Sequence, residues 1–238
     1  MFKAQVVVLA GGQGSRLRPY TTILPKPLLP VGEIPILEIL VRQLKYYGFK
    51  NILISTGYLA ELIEAYFGDG RRWGVCIRYV RESKPLGTAG ALKLAQHTED
   101  DFLVLNGDIL TDMDFARLYK WHKQQKATAS ISIKERKIQN DFGVIEVGDH
   151  HELLAYHEKP QQVSFVSMGI NVLNVKAKSF IKKGECIGIP DLMLRMKSSS
   201  QKVCCYQVKD QWLDLGRSED LERAQEIFGQ HKSKFIMT

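Results

Sequence analysis

Between Val6 and Asp108 the chain alternates short apolar runs with segments of helical spacing, and this alternation restricts its fold more than any other feature. Val6, Val7, Val8 and Leu9 form a β-branched, apolar block that stops at Gly11, the pattern of a buried strand entering a tight turn. Ile36, Leu37, Leu40, Val41, Leu44 and Tyr47 then keep helical spacing behind Pro35, which suits a first helical turn, and Gly48 is the stop. NILIST (51–56) reads as a strand, LAELIEAYFG (59–68) as a helix, VCIRYV (75–80) as a strand, AGALKLAQ (89–96) as a helix and FLVLNGD (102–108) as a strand. Strands separated by helices need crossover connections, so this half predicts a mainly parallel sheet.

The second half departs from that rhythm. A helix over Phe115 to Gln125 leads to ATASISIKE (127–135), whose period-two alternation predicts a strand exposed on one face. Short strands are expected at FGVIEV (142–147), LLAYHEK (153–159), VSMGINVLNV (166–175) and KVCCYQV (202–208). Helices are expected near Asp191 to Met196 and from Glu219 to Phe228, the last capped by Ser218 with Glu219 and Asp220 in its first turn. No internal repeat, low-complexity tract or linker interrupts the chain. The expectation is one three-layer α/β/α domain over residues 1–238, Rossmann-like at first, with a mixed, mostly parallel sheet.

Charge narrows the partners. The 33 Lys and Arg residues against 26 acids leave +7, a balance compatible with nucleotides, nucleic acid or an anionic membrane. The basic residues are scattered singly, only HKSKF (231–235) is locally dense, and no basic stripe is interleaved with aromatics. That pattern argues against nucleic acid as the partner. Cys76, Cys186, Cys204 and Cys205 show no C-x-x-C spacing, which suggests reduced, structural thiols and a cytoplasmic setting. The run VVVLA is too short for a signal-peptide core or a bilayer span, so a soluble, unexported protein with no membrane partner is expected.

The glycines after the first strand, Gly11, Gly12 and Gly14, do not follow either of two familiar phosphate loops. A dinucleotide fingerprint needs a third glycine where Leu17 stands, and a P-loop needs Gly-Lys-Ser/Thr. The residue types still suit a polyphosphate. Glycines let backbone N–H groups approach an anion, Arg16 offers a planar donor fork, and Lys26 adds a compact charge held between Pro25 and Pro27. Asp108 closes an apolar strand at the edge where open α/β sheets bind ligands, although an Asp there can also cap the following helix.

The stretch LAGGQGSRLRPYTTILPKPLLPVG (9–32) resembles the signature of the sugar-1-phosphate nucleotidylyltransferases. KPLGTAGAL (84–92), LNGD (105–108), FGVIEV (142–147), HEKP (157–160), SMGINVL (167–173) and WLDLG (212–216) follow in the family's order, so the resemblance covers about residues 3 to 228. It implies that Leu9, Ala10, Gly11, Gly12, Gly14, Ser15 and Arg16 hold a nucleoside triphosphate, with Gly87 and Thr88 near the base. Lys26 would stabilise charge at the reacting phosphorus. Arg16, Lys26 and Asp108 are the implied catalytic residues, and Asp108 and Asp214 the implied Mg²⁺ ligands. For the sugar 1-phosphate the resemblance points to Gly143, Glu158, Lys159 and Asn171. Mg²⁺ is a hard ion satisfied by one or two carboxylates, waters and phosphate oxygens, so no His or Cys cluster is needed; His150, His151 and His157 read as surface or strand residues.

The implied reaction joins a nucleoside triphosphate to a sugar 1-phosphate. The sequence looks closest to the mannose- and heptose-1-phosphate guanylyltransferases, which makes GTP the expected nucleotide. Relatives that use UTP, dTTP or CTP, or a phosphocholine-like acceptor, differ at few positions. A nucleotide-sensing subunit that binds without catalysis is the other class, and the presence of Lys26, Asp108 and Asp214 together argues against it. About ten residues follow the last expected helix, so the left-handed β-helix of some relatives is not expected. Assembly into a homo-oligomer is left open.

Overall fold

The computed structural model describes residues 1–82, 84–95 and 100–237. In chain order the elements are β1 (Phe2–Ala10), the hairpin β2 (Pro30–Val31) and β3 (Ile34–Pro35), α1 (Ile36–Tyr46), β4 (Phe49–Thr56), α2 (Ala60–Phe67), β5 (Cys76–Arg81), α3 (Gly87–Gly90), β6 (Asp101–Asn106) and β7 (Ile109–Thr111). Then come α4 (Phe115–Gln125), β8 (Ala129–Gln139), β9 (Val144–Val147), β10 (Leu153–His157), β11 (Gln161–Asn174), α5 (Ile189–Ser198), β12 (Val203–Val208), β13 (Trp212–Asp214) and α6 (Ser218–Phe235).

Seven strands form the main sheet in the order β12-β8-β11-β6-β1-β4-β5. β1 lies parallel between β4 and β6, with Val8 opposite Ile54 on one side and Leu105 on the other. β11 runs antiparallel to both β6 and β8, which makes the sheet mixed. Alternation along β1 divides the core. Val6 and Val8 face Leu37, Leu40, Leu44, Phe115 and Leu118 of α1 and α4, whereas Val7 faces Ala89, Leu192, Met193 and Met196 of α3 and α5. Each fully buried valine contributes ~1.5–3 kcal/mol relative to exposure, which commits a strand with both faces apolar to the middle layer. The fold is the expected three-layer α/β/α arrangement. A third cluster, with Val31, Ile39, Leu110, Leu215 and Phe228, packs α6 against α1 and β7.

Several local expectations are corrected. β8 is not open on one face: Ser130 and Ser132 are fully buried, and the Ser130 hydroxyl lies 2.7 Å from His122 Nδ1 of α4. β11 extends over 14 residues, and its register shifts between Ser167 and Asn171. The helix expected over 89–96 starts earlier, at Gly87, and passes into a 3₁₀ turn at Ala91–Lys93; Gln96 lies outside the described residues. Ser218 does not cap α6. Arg217 occupies that position and donates its backbone N–H to Asp220 Oδ2 at 2.8 Å, and the helix continues past Phe228 to Phe235 with a kink at His231. Among the described residues no helix is long and apolar enough to cross a membrane.

Candidate active site

The carboxyl ends of β1, β4, β5 and β6 open onto one cavity of about 450 Å³. Leu9, Gly11 and Gly12 line it from the glycine loop, Gly87 and Thr88 from α3, and Asp108 from the turn after β6. Asn106, within LNGD, lines it as well, and so do Gly57, Tyr58 and Glu82, which lie in no quoted motif. Their signal was positional, since each lies at or just after the carboxyl end of a parallel strand. The Gly11 and Gly57 backbones nearly touch: a Cβ on Gly57 would stand 2.7 Å from the Gly11 carbonyl oxygen. A side chain at Gly57 would therefore force the two backbones apart.

Gly87 has a φ of +71°, and a Cβ there would meet the Ile187 carbonyl oxygen at 2.5 Å. That carbonyl accepts the N–H groups of Ala89 (2.9 Å) and Gly90 (3.2 Å), so the segment before α5 forms the underside of this wall. Thr88 does not cap its own helix. Its hydroxyl accepts the backbone N–H of Ile189 at 2.9 Å and so ties α3 to the start of α5. Arg195 fixes the same segment through two hydrogen bonds to Glu185, at 2.7 and 2.9 Å, and a third to the Phe180 carbonyl at 2.7 Å. These bonds to Arg195, followed by the Lys182 backbone N–H, hold the Glu185 carboxyl at a pKa of about 2.

Beside this cavity the two acids converge. β7 and β13 form a short antiparallel ladder in which Asp214 stands opposite Ile109, and the Leu215 N–H donates to the Asp108 carbonyl at 3.1 Å. Lys26 rises from the 3₁₀ turn Lys26–Leu28 behind Pro25. Its Nζ forms an ion pair with Asp108 Oδ2 and lies 3.6 Å from Asp214 Oδ1. Burial, then the nearby Asp108 carboxylate, raise the Asp214 pKa, with Lys26 and Arg16 opposing. Asp108 does not cap the following helix. Asp114 does, accepting the Arg117 N–H at 2.9 Å.

Arg16 borders a second groove of about 480 Å³, shared with Asp214, Gly216, Arg217 and Arg223. Ala10, Gly14, Ser15 and Lys26 do not line the first cavity. The four residues expected near a sugar are more dispersed. Gly143 sits against Tyr156, where a Cβ would come within 2.5 Å of the hydroxyl. Glu158 and Lys159 are exposed after β10, and the Lys159 carbonyl accepts from Gln139 Nε2 at 2.8 Å. Asn171 is buried in β11 opposite Val104, and its Oδ1 has no partner. None of these four lines the 450 Å³ cavity.

Two observations bear on a divalent cation. Asp108 Oδ1 is buried without a hydrogen-bond partner, and both carboxylates point at one cationic atom, Lys26 Nζ. No group of three or more His, Cys, Asp or Glu that could hold a metal occurs among the described residues. Two converging carboxylates, one of them lining the 450 Å³ cavity, fit Mg²⁺, which takes its remaining ligands from water and phosphate.

Known proteins similar to this chain are numerous. The nucleotidyl transferase family matches residues 5–230. A UTP–glucose-1-phosphate uridylyltransferase of Synechocystis is 32% identical over 92% of this chain and 62% of its own length. A D-glycero-alpha-D-manno-heptose 1-phosphate guanylyltransferase of Aneurinibacillus thermoaerophilus is 30% identical, covering 93% of this chain and 96% of its own. A mannose-1-phosphate guanylyltransferase of Mycobacterium tuberculosis is 29% identical over 93% of this chain. The chain spans about three-fifths of the length of the Synechocystis and Mycobacterium relatives, 62% and 63%. Among solved structures, a Bacillus anthracis protein described as a glucose-1-phosphate thymidylyltransferase superposes with a TM-score of 0.77 at 28% identity, covering 94% of this chain and 95% of that one. With its family match running from residue 5 to residue 230, the chain belongs to the nucleotidyl transferase family.

Proposed function

We propose that the protein transfers the nucleotidyl group of GTP to a sugar 1-phosphate of mannose or heptose type, releasing pyrophosphate. The observation that carries this reading is the approach of Lys26 to both Asp108, which lines the glycine-loop cavity, and Asp214. The triphosphate lies along Gly11, Gly12 and Gly14. Arg16 and Lys26 neutralise the charge that builds on the α-phosphate during in-line attack. An oxygen of the sugar phosphate forms the new bond to the α-phosphorus as the bond to pyrophosphate breaks, and the departing pyrophosphate keeps the electron pair. The attacking oxygen is already anionic, so no general base is needed; positioning and charge stabilisation carry the catalysis. Asp108 and Asp214 would hold Mg²⁺, whose hard positive charge would supply further neutralisation of the phosphates. Glu158 and Lys159 bind the sugar hydroxyls and phosphate, and residues 1–238 act as one nucleotidyltransferase domain.

Glu82 supports the choice of GTP. Its carboxylate lines the cavity and is fixed by the Ser55 hydroxyl (3.1 Å) and the Leu86 N–H (3.0 Å). A carboxylate only accepts hydrogen bonds when ionised, and guanine offers donors at N1 and N2, whereas uracil and thymine flank a single donor with carbonyl oxygens. Pyrophosphate release, measured for each of four nucleoside triphosphates against several sugar 1-phosphates, tests the reading. GTP with a mannose-type phosphate should have the highest kcat/KM. A tenfold preference for UTP, dTTP or CTP with every acceptor would overturn the base assignment, and no turnover with any pair would overturn the reaction.

A further inference from the structure

The groove of about 480 Å³ beside Asp214 gathers cations that the fold itself does not use. Arg16, Arg217 and Arg223 line it, and none of the three makes a side-chain hydrogen bond or an ion pair among the described residues. Elsewhere acids occupy the guanidinium groups: Arg42 pairs with Glu38, Arg81 with Glu61 and Glu64, and Arg195 with Glu185. The acids of the groove are engaged in other ways. Asp220 Oδ2 accepts the Arg217 backbone N–H at 2.8 Å, Glu135 lies 3.6 Å from Lys137, and Glu219 stands in the first turn of α6, where the helix dipole offsets its charge. Arg16 comes from the glycine loop, yet it reaches the segment that carries Arg217: a Cβ on Gly216 would stand 3.7 Å from Arg16 Nη1. Lys26 links the two openings, since Asp108 lines the nucleotide cavity, Asp214 lines the groove, and the Lys26 ammonium approaches both.

We infer that Arg217 and Arg223, together with Arg16, receive the pyrophosphate that leaves the triphosphate, an inference that rests on the nucleotidyl transfer proposed above. In an in-line displacement the attacking and leaving oxygens lie on opposite sides of the α-phosphorus, so acceptor and pyrophosphate need separate places. Arg16, assigned there to the triphosphate, lines the groove and not the 450 Å³ cavity, which puts the β- and γ-phosphates on the groove side. When the bond between the α-phosphorus and the bridging oxygen breaks, its electron pair goes to pyrophosphate, whose negative charge therefore grows. Arginine stays protonated and presents a planar fork of donors that matches phosphate oxygens two at a time. Guanidinium groups without other partners take up those oxygens without first breaking an ion pair.

Calorimetry on the full chain with Mg²⁺ present, comparing pyrophosphate, GTP and GMP, tests the inference. In Arg217→Ala combined with Arg223→Ala, affinity for pyrophosphate and for GTP should fall about tenfold or more, the scale of losing charge-assisted hydrogen bonds. GMP lacks the β- and γ-phosphates and should bind as it does to the wild type. In the reverse reaction KM for pyrophosphate should rise by a similar factor while KM for the nucleotide sugar stays unchanged. Arg217→Lys combined with Arg223→Lys should recover part of the lost affinity, and Lys232→Ala, which removes a charge from the last turn of α6, should change none of these values. If the double alanine variant does not fold, Arg217→Lys and Arg223→Lys decide singly by the same three affinities, because each keeps its charge and loses the fork. Unchanged pyrophosphate affinity, an equal loss for GMP, or a raised KM for the sugar 1-phosphate in place of pyrophosphate would overturn the assignment. A wild type without turnover would instead overturn the transfer reaction, with the pyrophosphate affinities still deciding the role of the two arginines.

Discussion

Lys26 and Asp108, 82 residues apart in the chain, meet as an ion pair, with Asp214 3.6 Å from the same ammonium. Three segments thus contribute one charge each to a single point. Neutralising either carboxylate removes a proposed cation ligand while keeping the side chain's size. Asp108→Asn and Asp214→Asn should each lower kcat/KM by ~100-fold or more with little change in melting temperature, on the scale of losing a charge-stabilising group. Steady-state pyrophosphate release beside thermal melts checks this; full activity in either folded variant contradicts the assignment.

Glu82 is the proposed determinant of base choice. Glu82→Gln replaces an acceptor with a donor-acceptor amide, and a mispaired polar edge in a cavity costs ~1–3 kcal/mol. The ratio of kcat/KM for GTP over UTP should fall by about tenfold or more. An unchanged ratio would locate base discrimination elsewhere in the cavity.

The proposed roles of Arg16 and Lys159 divide the substrates between them. Arg16 borders the groove beside Asp214, whereas Lys159 lies beyond β10. Arg16→Ala should weaken nucleotide binding in calorimetry, and Lys159→Ala should raise KM for the sugar phosphate while leaving nucleotide affinity intact. Equal loss of nucleotide affinity in both variants contradicts that division.

Glu185 supplies a pH signature. Its carboxyl is held at about 2 by Arg195 and the Lys182 N–H, below the ordinary glutamate value of 4.5. A depressed acid stabilises the fold fully above its unfolded value and loses that contribution as pH falls through its folded value. Melting temperatures of the wild type should therefore exceed those of Glu185→Gln at neutral pH, and the gap should close between pH 4.5 and about 2. Because the Glu185 segment underlies Gly87 and Gly90, the same variant should raise KM for nucleotide more than for sugar phosphate. A gap independent of pH contradicts the role given to this ion pair.

The first half was legible because its signals are long and redundant. A buried parallel strand such as Val6–Leu9 needs an unbroken apolar run, and α1 keeps helical spacing through Ile36, Leu37, Leu40, Val41 and Leu44. The ladder β7-β13 was not legible, since three residues carry no readable period, yet that ladder is what places Asp214 beside Asp108. Ser130 and Ser132 read as an exposed face because a hydroxyl gives no sign that a buried histidine awaits it. Nothing local to Thr88 points to its partner Ile189, 101 residues away. Glu82 has no motif of its own; only its position after β5 marks it.

Transfer of an α-³²P label from GTP is the most direct test of the central claim. With mannose 1-phosphate or a heptose 1-phosphate and Mg²⁺, the wild type should move the label into a nucleotide sugar with one unlabelled pyrophosphate released per transfer. The Asp108→Asn protein should leave it in GTP. Binding of GTP without label transfer to any sugar 1-phosphate, or equal transfer by wild type and Asp108→Asn, would contradict the account.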